Sequence, residues 1–190
     1  MTKTVLQSLL VLLLFSLLTG LVYPLMVTGV AQLCCAHQAG GSLLRQNDRL
    51  IGSSLLGQPF QEPKYFWTRP SATLPQPYNA LASGGSNLGP TNPAQIEAVR
   101  HNVETLRRAD PANRLPIPVD LVTASGSGLD PDISPEAALF QITRVAGARS
   151  LDVARVRRLV AQHTALRQWG IFGEPRVNVL ELNLALDALH

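Results

Sequence analysis

From Val5 to Leu33 the chain carries no charged residue, and Leu, Val, Phe, Ala and Met dominate the run. A helix rises about 1.5 Å per residue, so about 20 residues cross a bilayer core of roughly 30 Å. This run is longer than that, and no second one of its kind follows. The expectation is a short N-terminal tail (residues 1–4), one transmembrane helix (5–33) and a single soluble domain (34–190). A cleavable secretory signal is the competing reading, with Lys3 as its positive start and Val5–Leu18 as its apolar centre. Such centres run only about 7–15 residues before a small-residue cleavage site, whereas here Leu21, Val22, Tyr23, Leu25, Met26, Val27 and Val30 prolong the hydrophobicity. A retained anchor fits the length better.

Orientation rests on the cations flanking the run. Lys3 and the terminal amine lie before it and Arg45 and Arg49 after it, a near balance. A tail of four residues is easily left inside while the long domain is exported, so the C-terminal domain is expected outside the cytoplasm.

What remains is long enough to bury a real core. The formal net charge is +3, from 16 Lys and Arg against 13 Asp and Glu. Nucleic-acid binding would call for a denser basic stripe with interleaved aromatics. The tightest cluster, Arg155, Arg157 and Arg158, reads as a solvated helix face. Cys34 and Cys35 are the only cysteines and are neighbours. They offer neither a disulfide framework nor a four-ligand zinc site.

Along the domain, Leu50-Ile51 reads as a short strand. Residues 57–93 are crowded with Pro and Gly, which forbids a long helix. Phe60, Tyr65, Phe66, Trp67 and Tyr78 within them argue for an ordered irregular segment, since disordered tracts are poor in aromatics. Asn92-Pro93-Ala94-Gln95 has the cap chemistry of a helix start, with Ile96, Val99, Val103 and Leu106 as its buried stripe and Asp110-Pro111 as its stop. Ile117–Thr123 reads as a strand with Pro118 at its entry. Ser134-Pro135-Glu136 opens a helix to about Arg149. Another follows Ser150, with Val153, Val156, Val160 and His163 on one face, and a last one runs from near Asn178 to about Leu189. The class expected is α+β, with one membrane helix and no internal repeat.

Several chemistries are missing. No Gly-rich loop ends in Gly-Lys-Ser/Thr, and no helix carries the paired histidines of a zinc protease. The four histidines are scattered, and His163 reads as a core filler. Ser125-Gly126-Ser127-Gly128 lacks the glycine two residues before the serine that a nucleophile elbow needs. Asp130, Asp132 and Glu136 resemble the start of a calcium loop, but Pro131 and Pro135 interrupt it and no closing glutamate follows. No metal site and no autonomous enzyme are expected.

Ordered landmarks are more specific. They are Tyr23-Pro24-Leu25 with Thr28-Gly29 and Gln32; Gly52-Ser53, Gly57-Gln58 and Phe60; Tyr65-Phe66 with Arg69-Pro70-Ser71-Ala72; and Ser83-Gly84-Gly85-Ser86-Asn87-Leu88-Gly89. The series continues with Pro118–Pro131, Ile133-Ser134, Arg144-Val145-Ala146, Ala148-Arg149 and Val177-Asn178-Val179-Leu180-Glu181-Leu182-Asn183. In this series the chain resembles, over nearly its whole length, the C subunit of the Kdp-type potassium-transporting P-type ATPase. It departs at Cys34-Cys35, where that family more often has an aromatic-proline pair.

The resemblance implies a non-catalytic, single-pass subunit of a high-affinity potassium uptake complex in the bacterial inner membrane. The implied partners are a channel-like potassium-binding subunit, an ATP-hydrolysing subunit, a very small accessory peptide and membrane lipid, with no nucleic acid. The implied role is to assemble the complex and to act as a catalytic chaperone that raises its partner's affinity for ATP, the one cofactor, shared or contacted indirectly. The Asp-Lys-Thr-Gly motif of such pumps occurs nowhere in this chain. A domain outside the cytoplasm reaches ATP only by allostery. The candidate surface is the pair of turns Ser83, Gly84, Gly85, Ser86, Asn87 and Ser125, Gly126, Ser127, Gly128, Asp130, whose glycines permit close backbone approach. The bland reading of both is turn formation. Two other classes stay open: an anchored extracytoplasmic module that captures a ligand in the Pro/Gly/aromatic segment, and an anchored hydrolase using Ser125 or Ser127. In the membrane run, the small residues at Thr19-Gly20 and Thr28-Gly29 would let another helix approach closely.

Overall fold

The computed structural model describes residues 2–46 and 48–189. They fall into two compact units, one ending at Ser53 and the other beginning at Ser54.

The first unit is mainly one helix, Thr2–Cys34, long and apolar enough to cross a membrane. It comprises α1 (Thr2–Leu17), a π turn (Leu18–Val22) and α2 (Tyr23–Cys34). Pro24 explains the interruption. Its ring has no N–H and crowds the carbonyl four residues earlier, that of Gly20. Widening the preceding turn relieves that clash, and the Tyr23 N–H bonds the Leu18 carbonyl. Two hydroxyls within the run bond its own backbone: Ser8 Oγ donates to the Thr4 carbonyl at 2.9 Å and Thr19 Oγ1 to the Phe15 carbonyl at 2.7 Å. That is what an apolar surrounding demands of a polar group. Cys35 leaves the helix at φ −141°, and a single turn, α3 (Ala36–Ala39), follows. A hairpin completes the unit, β1 (Leu43–Gln46) against β2 (Arg49–Ser53), with an irregular register between Leu44 and Arg45. Leu50-Ile51 thus lies in a strand, as expected.

The second unit is built around α5 (Pro135–Arg149). Ala137, Ala138, Phe140, Gln141, Ile142, Arg144, Val145 and Ala146 are buried on it. Its start is fixed twice: Ser134 Oγ accepts from the Ala137 N–H at 3.1 Å, and Asp120 accepts from the Ser134 N–H at 2.7 Å. Its end is a left-handed Ser150 (φ 54°), with the Leu151 N–H bonded to the Ala146 carbonyl at 2.9 Å. That is the usual helix stop, made here without glycine. α6 (Val153–Gln162), capped by Asp152, buries Val156, Leu159 and Val160 and leaves Arg155, Arg157 and Arg158 in solvent. α7 (Val179–Asp187), capped by Asn178, buries Val179, Leu180, Leu182, Asn183 and Leu186. α4 (Pro93–Ala109), capped by Asn92, buries only Leu106, with Val99 and Val103 partly covered. A small antiparallel sheet of order β3-β5-β4 joins β3 (Asp132–Ile133), β4 (Thr164–Ala165) and β5 (Arg176–Asn178), pairing Ile133 with Val177 and Thr164 with Val177. The mixture is α+β, with one apolar N-terminal helix ahead of it.

Details differ from the sequence expectations. Ile117–Thr123 is no strand: after Pro118 the chain turns into a short 3₁₀ helix, Val119–Leu121. β-branched composition favoured a strand, but Asp120 is needed to cap α5, and the turn aims it there. His163 follows the last residue of α6 and is half-buried, its Nδ1 3.0 Å from the Leu159 carbonyl. It belongs to the helix end and not to the packed face. Val153 and Ile96, expected inside, are 41% and 47% exposed.

The Pro/Gly/aromatic segment is ordered by side-chain amides rather than by a sheet. Asn183 Oδ1 accepts from the Phe66 N–H at 2.9 Å, and its Nδ2 donates to the Phe66 carbonyl at 3.0 Å. Gln141 does the same for Trp67, at 2.8 and 3.1 Å. Both amides are 1% exposed, and Phe66 is wholly buried. Arg144 completes the clamp. Nη1 donates to the carbonyls of Pro63 (2.6 Å) and Tyr65 (3.0 Å), Nη2 donates to Gln141 Oε1, and the guanidinium lies 4.2 Å from the Trp67 ring centroid. Desolvation lowers its pKa to about 10, against a smaller opposing pull from Asp110.

Candidate functional site

The two glycine turns, whose contacting residues Ser83 and Ser127 are 44 apart along the chain, lie against each other. The Gly84 N–H donates to the Ser127 carbonyl at 2.8 Å, and Ser83 Oγ donates to the same carbonyl at 3.1 Å. A Cβ on Gly85 would stand 3.0 Å from the Gly126 carbonyl oxygen and 3.3 Å from its Cα. Close packing of backbone on backbone is what the glycines provide.

Each turn has its own internal lock. Ser125, buried, accepts the Gly128 N–H on its Oγ at 2.9 Å, and Ser127 Oγ accepts the Leu129 N–H at 3.1 Å. Gly128 sits at φ 67°, and a Cβ there would meet Thr73 Cγ2 at 2.5 Å and the Gly84 carbonyl at 2.7 Å. Only glycine fits. Gly126 is different: a Cβ on it would meet nothing within 4 Å, and it is exposed. Among the described residues, the N–H groups of Gly85, Ser86, Gly126 and Ser127 have no backbone partner. Ser86 and Asn87 are exposed, Asn87 at φ 54°. The double turn therefore presents a ridge of small residues and available donors.

Asp130 is turned away from that ridge. Its Oδ2 pairs with Arg69 Nη1 at 3.1 Å, and its Oδ1 accepts the Asp132 N–H at 3.0 Å. Asp132 in turn pairs with Arg176 Nε at 3.0 Å. Burial raises the Asp132 pKa above the usual carboxylate value, with Arg176 opposing. These carboxylates are thus held by arginines, and Arg69 and Asp130 border an open cleft of about 1100 Å³ that also includes Ile117, Phe140 and Arg176.

Behind the double turn, Ser71 Oγ donates to the Gly128 carbonyl at 2.7 Å and accepts the Tyr78 N–H at 2.9 Å. Tyr78 Oη bonds both Thr68 Oγ1 and the Arg69 carbonyl. Burial raises the phenol pKa above its ordinary value. Phe60, Trp67 and Tyr78 line a second groove, of about 530 Å³. The hydroxyls of Ser125 and Ser127 accept backbone amides, and among the described residues no imidazole bonds either one. Both hydroxyls are thereby committed to holding their own turns.

One exposed feature escaped the sequence reading. Between β4 and β5 the chain projects Leu166, Trp169, Ile171 and Phe172, which are 59–88% exposed. The signal was present as Trp-Gly-Ile-Phe-Gly, but nothing in its spacing tells an outward tip from a buried turn.

Comparison with known proteins decides the lineage. The model of the family described as K+-transporting ATPase, c chain (KdpC), matches residues 5–188. The chain belongs to the KdpC family. It is 61% identical over 176 residues to a potassium-transporting ATPase KdpC subunit of Dechloromonas aromatica, covering 93% of this chain and 92% of that one. It is 60% identical over 188 residues to the KdpC subunit of Variovorax paradoxus, covering 99% and 97%. The KdpC match takes in the long helix, the double turn, the amide clamp and the aromatic tip alike.

Proposed function

We propose that this chain is the accessory C subunit of a potassium-transporting ATPase complex. The observation that carries the reading is the family match over residues 5–188, together with relatives named as KdpC subunits at about 60% identity along nearly their whole length. The subunit is not itself an enzyme; ATP hydrolysis belongs to another polypeptide of the complex. Its helix Thr2–Cys34 spans the bacterial inner membrane once, and its C-terminal unit stands outside the cytoplasm. The partners are the channel-like potassium-binding subunit, the ATP-hydrolysing subunit and the small accessory peptide.

Within that assembly the chain stabilises the complex and acts as a catalytic chaperone. From outside the membrane it raises the hydrolysing subunit's affinity for ATP by binding one pump conformation better than another. The ridge of Gly85, Ser86, Gly126 and Ser127 supplies unpartnered amide donors for a partner's carbonyls, which supports its use as a docking surface. A ligand-binding module is the alternative, with the groove of Phe60, Trp67 and Tyr78 as its site.

The deciding experiment is mild detergent extraction of the tagged full-length chain. Recovery of the ATPase subunits in stoichiometric amount is the expected result; recovery of the chain alone overturns the reading. A reporter enzyme active only in the periplasm, fused after His190, should be active. Activity confined to a cytosol-dependent reporter would reverse the orientation and bring direct nucleotide contact back into play.

A further inference from the structure

The hairpin β1–β2 belongs to the same compact unit as the long helix and is tied closely to its end. Leu43 is nine positions beyond Cys34, and α3 takes up four of the residues between them. Fully drawn out, such a tether reaches about 25 Å. It is folded back instead. The Cys35 N–H bonds the Ala31 carbonyl at 2.8 Å, the Ala39 N–H the Cys35 carbonyl at 2.9 Å, and the Ser42 N–H the His37 carbonyl at 3.0 Å. Ser53 Oγ then donates to the Gly41 carbonyl at 2.7 Å, pinning the second strand to the same turn.

Where a hairpin so placed rests follows from its edges, its leucines and its charge. Two strands alone are marginally stable in water, and this sheet has only two among the described residues. Such a sheet has two open edges, which the hydrocarbon core of a bilayer does not tolerate. Leu43 and Leu50 are 43% and 53% exposed. Arg45, directly opposite Leu50, and Arg49 are exposed beside them. No charged residue separates Lys3 from Arg45, so these arginines are the first cations after the apolar run. Among the described residues neither forms an ion pair, not even with Asp48, the hairpin's one carboxylate.

We infer that the hairpin seats on the membrane surface beside its own helix. Arg45 and Arg49 meet the phosphates of anionic phospholipid, and Leu43 and Leu50 lie at the boundary of headgroups and acyl chains. The inference rests on the reading of Thr2–Cys34 as a membrane span. A cationic and apolar face next to a bilayer is drawn to it twice, by burial of its leucines and by headgroup charge. Its open edges stop it at the headgroup layer, where water and ester oxygens satisfy them. A protein neighbour is the competing cover, but lipid is already present at the origin of the tether.

The test reads depth by spin labelling of the full-length chain carrying Cys34→Ser and Cys35→Ser. The vesicles hold phosphatidylglycerol and phosphatidylcholine in equal parts. One label is attached through Leu50→Cys and a control label through Leu14→Cys, inside the span. The ratio of collisions with oxygen to those with a water-soluble nickel chelate should be about threefold or more higher at position 50 than for free label in buffer. Position 14 should read deeper still. If position 14 reads as water, the span and the inference fall together. If position 14 lies in lipid and position 50 reads as water, the hairpin inference alone is overturned, and a protein is left as the cover. Arg45→Gln with Arg49→Gln, or vesicles of phosphatidylcholine alone, should return position 50 towards water. Arg45→Lys with Arg49→Lys should keep its depth. Equal depth throughout, or loss of depth in the lysine pair as well, would overturn the role given to the charge.

Discussion

Asn183, at the middle of α7, closes both hydrogen bonds of the Phe66 backbone, 2.9 Å from its nitrogen and 3.0 Å from its oxygen. A side chain here stands in for a neighbouring strand. Asn183→Leu keeps the branching at Cγ but leaves a buried N–H and carbonyl unsatisfied. Stranded groups of that kind cost about 1–3 kcal/mol each, so a loss of roughly 2–4 kcal/mol in urea unfolding is expected. A loss below roughly 0.5 kcal/mol would show that the segment is held by its apolar contacts alone.

The glycines of the double turn should separate by position. Gly128→Ala forces a side chain into positive φ and onto Thr73 and the Gly84 carbonyl. It should cost about 2 kcal/mol or more, read by denaturant melts. Gly126→Val meets open space and should leave stability within about 0.5 kcal/mol, so it probes docking cleanly. Potassium-stimulated ATPase activity of the complex should fall with Gly126→Val. Wild-type activity would make the turn purely structural.

Tyr78 gives the fold an alkaline signature. Burial raises its folded pKa above 10.0, so the folded state keeps the phenolic proton longer than the unfolded chain does. The stabilisation from that proton is complete below 10.0 and drains away as pH climbs through the raised value. Unfolding free energy of the wild type should therefore decline more steeply above pH 10 than that of Tyr78→Phe. Parallel curves for the two proteins would contradict the buried, protonated phenol.

In the long helix, Gly20 and Gly29 have nothing within 4 Å of an added Cβ. Gly20→Leu and Gly29→Leu should leave the helix intact while lowering the yield of complex, if close helix–helix approach is used in assembly. Wild-type yield for both variants would assign the pair to lipid contact.

Helix positions were readable because their caps are local chemistry. Asn92-Pro93, Ser134-Pro135 and Asn178 each announce a start, and each side chain accepts a backbone N–H in the first turn. The apolar run of Val5–Leu33 was legible by length alone, but the π turn ahead of Pro24 was not. Val119–Leu121 misled because β-branched composition is a weak signal beside a long-range need, the capping of α5 by Asp120. The two serine-glycine turns could be marked as turns from their residues, yet their contact through Gly84 and Ser127 spans far too much chain for spacing to reveal. Gln141, Arg144 and Asn183 look like ordinary polar positions on helices, and only packing shows that they face inward.

The strand β5 has the tip at one end and α7 at the other, with Asn178 the last residue of the strand and Val179 the first of the helix. No slack separates them. The pairing of β5 with β3 and the seat of Asn183 on α7 therefore share one continuous stretch of backbone, so loosening the strand is felt at the Phe66 backbone that Asn183 holds. Weakening the Ile133–Val177 pairing should accordingly register as faster hydrogen exchange at the Phe66 amide, many residues away in sequence.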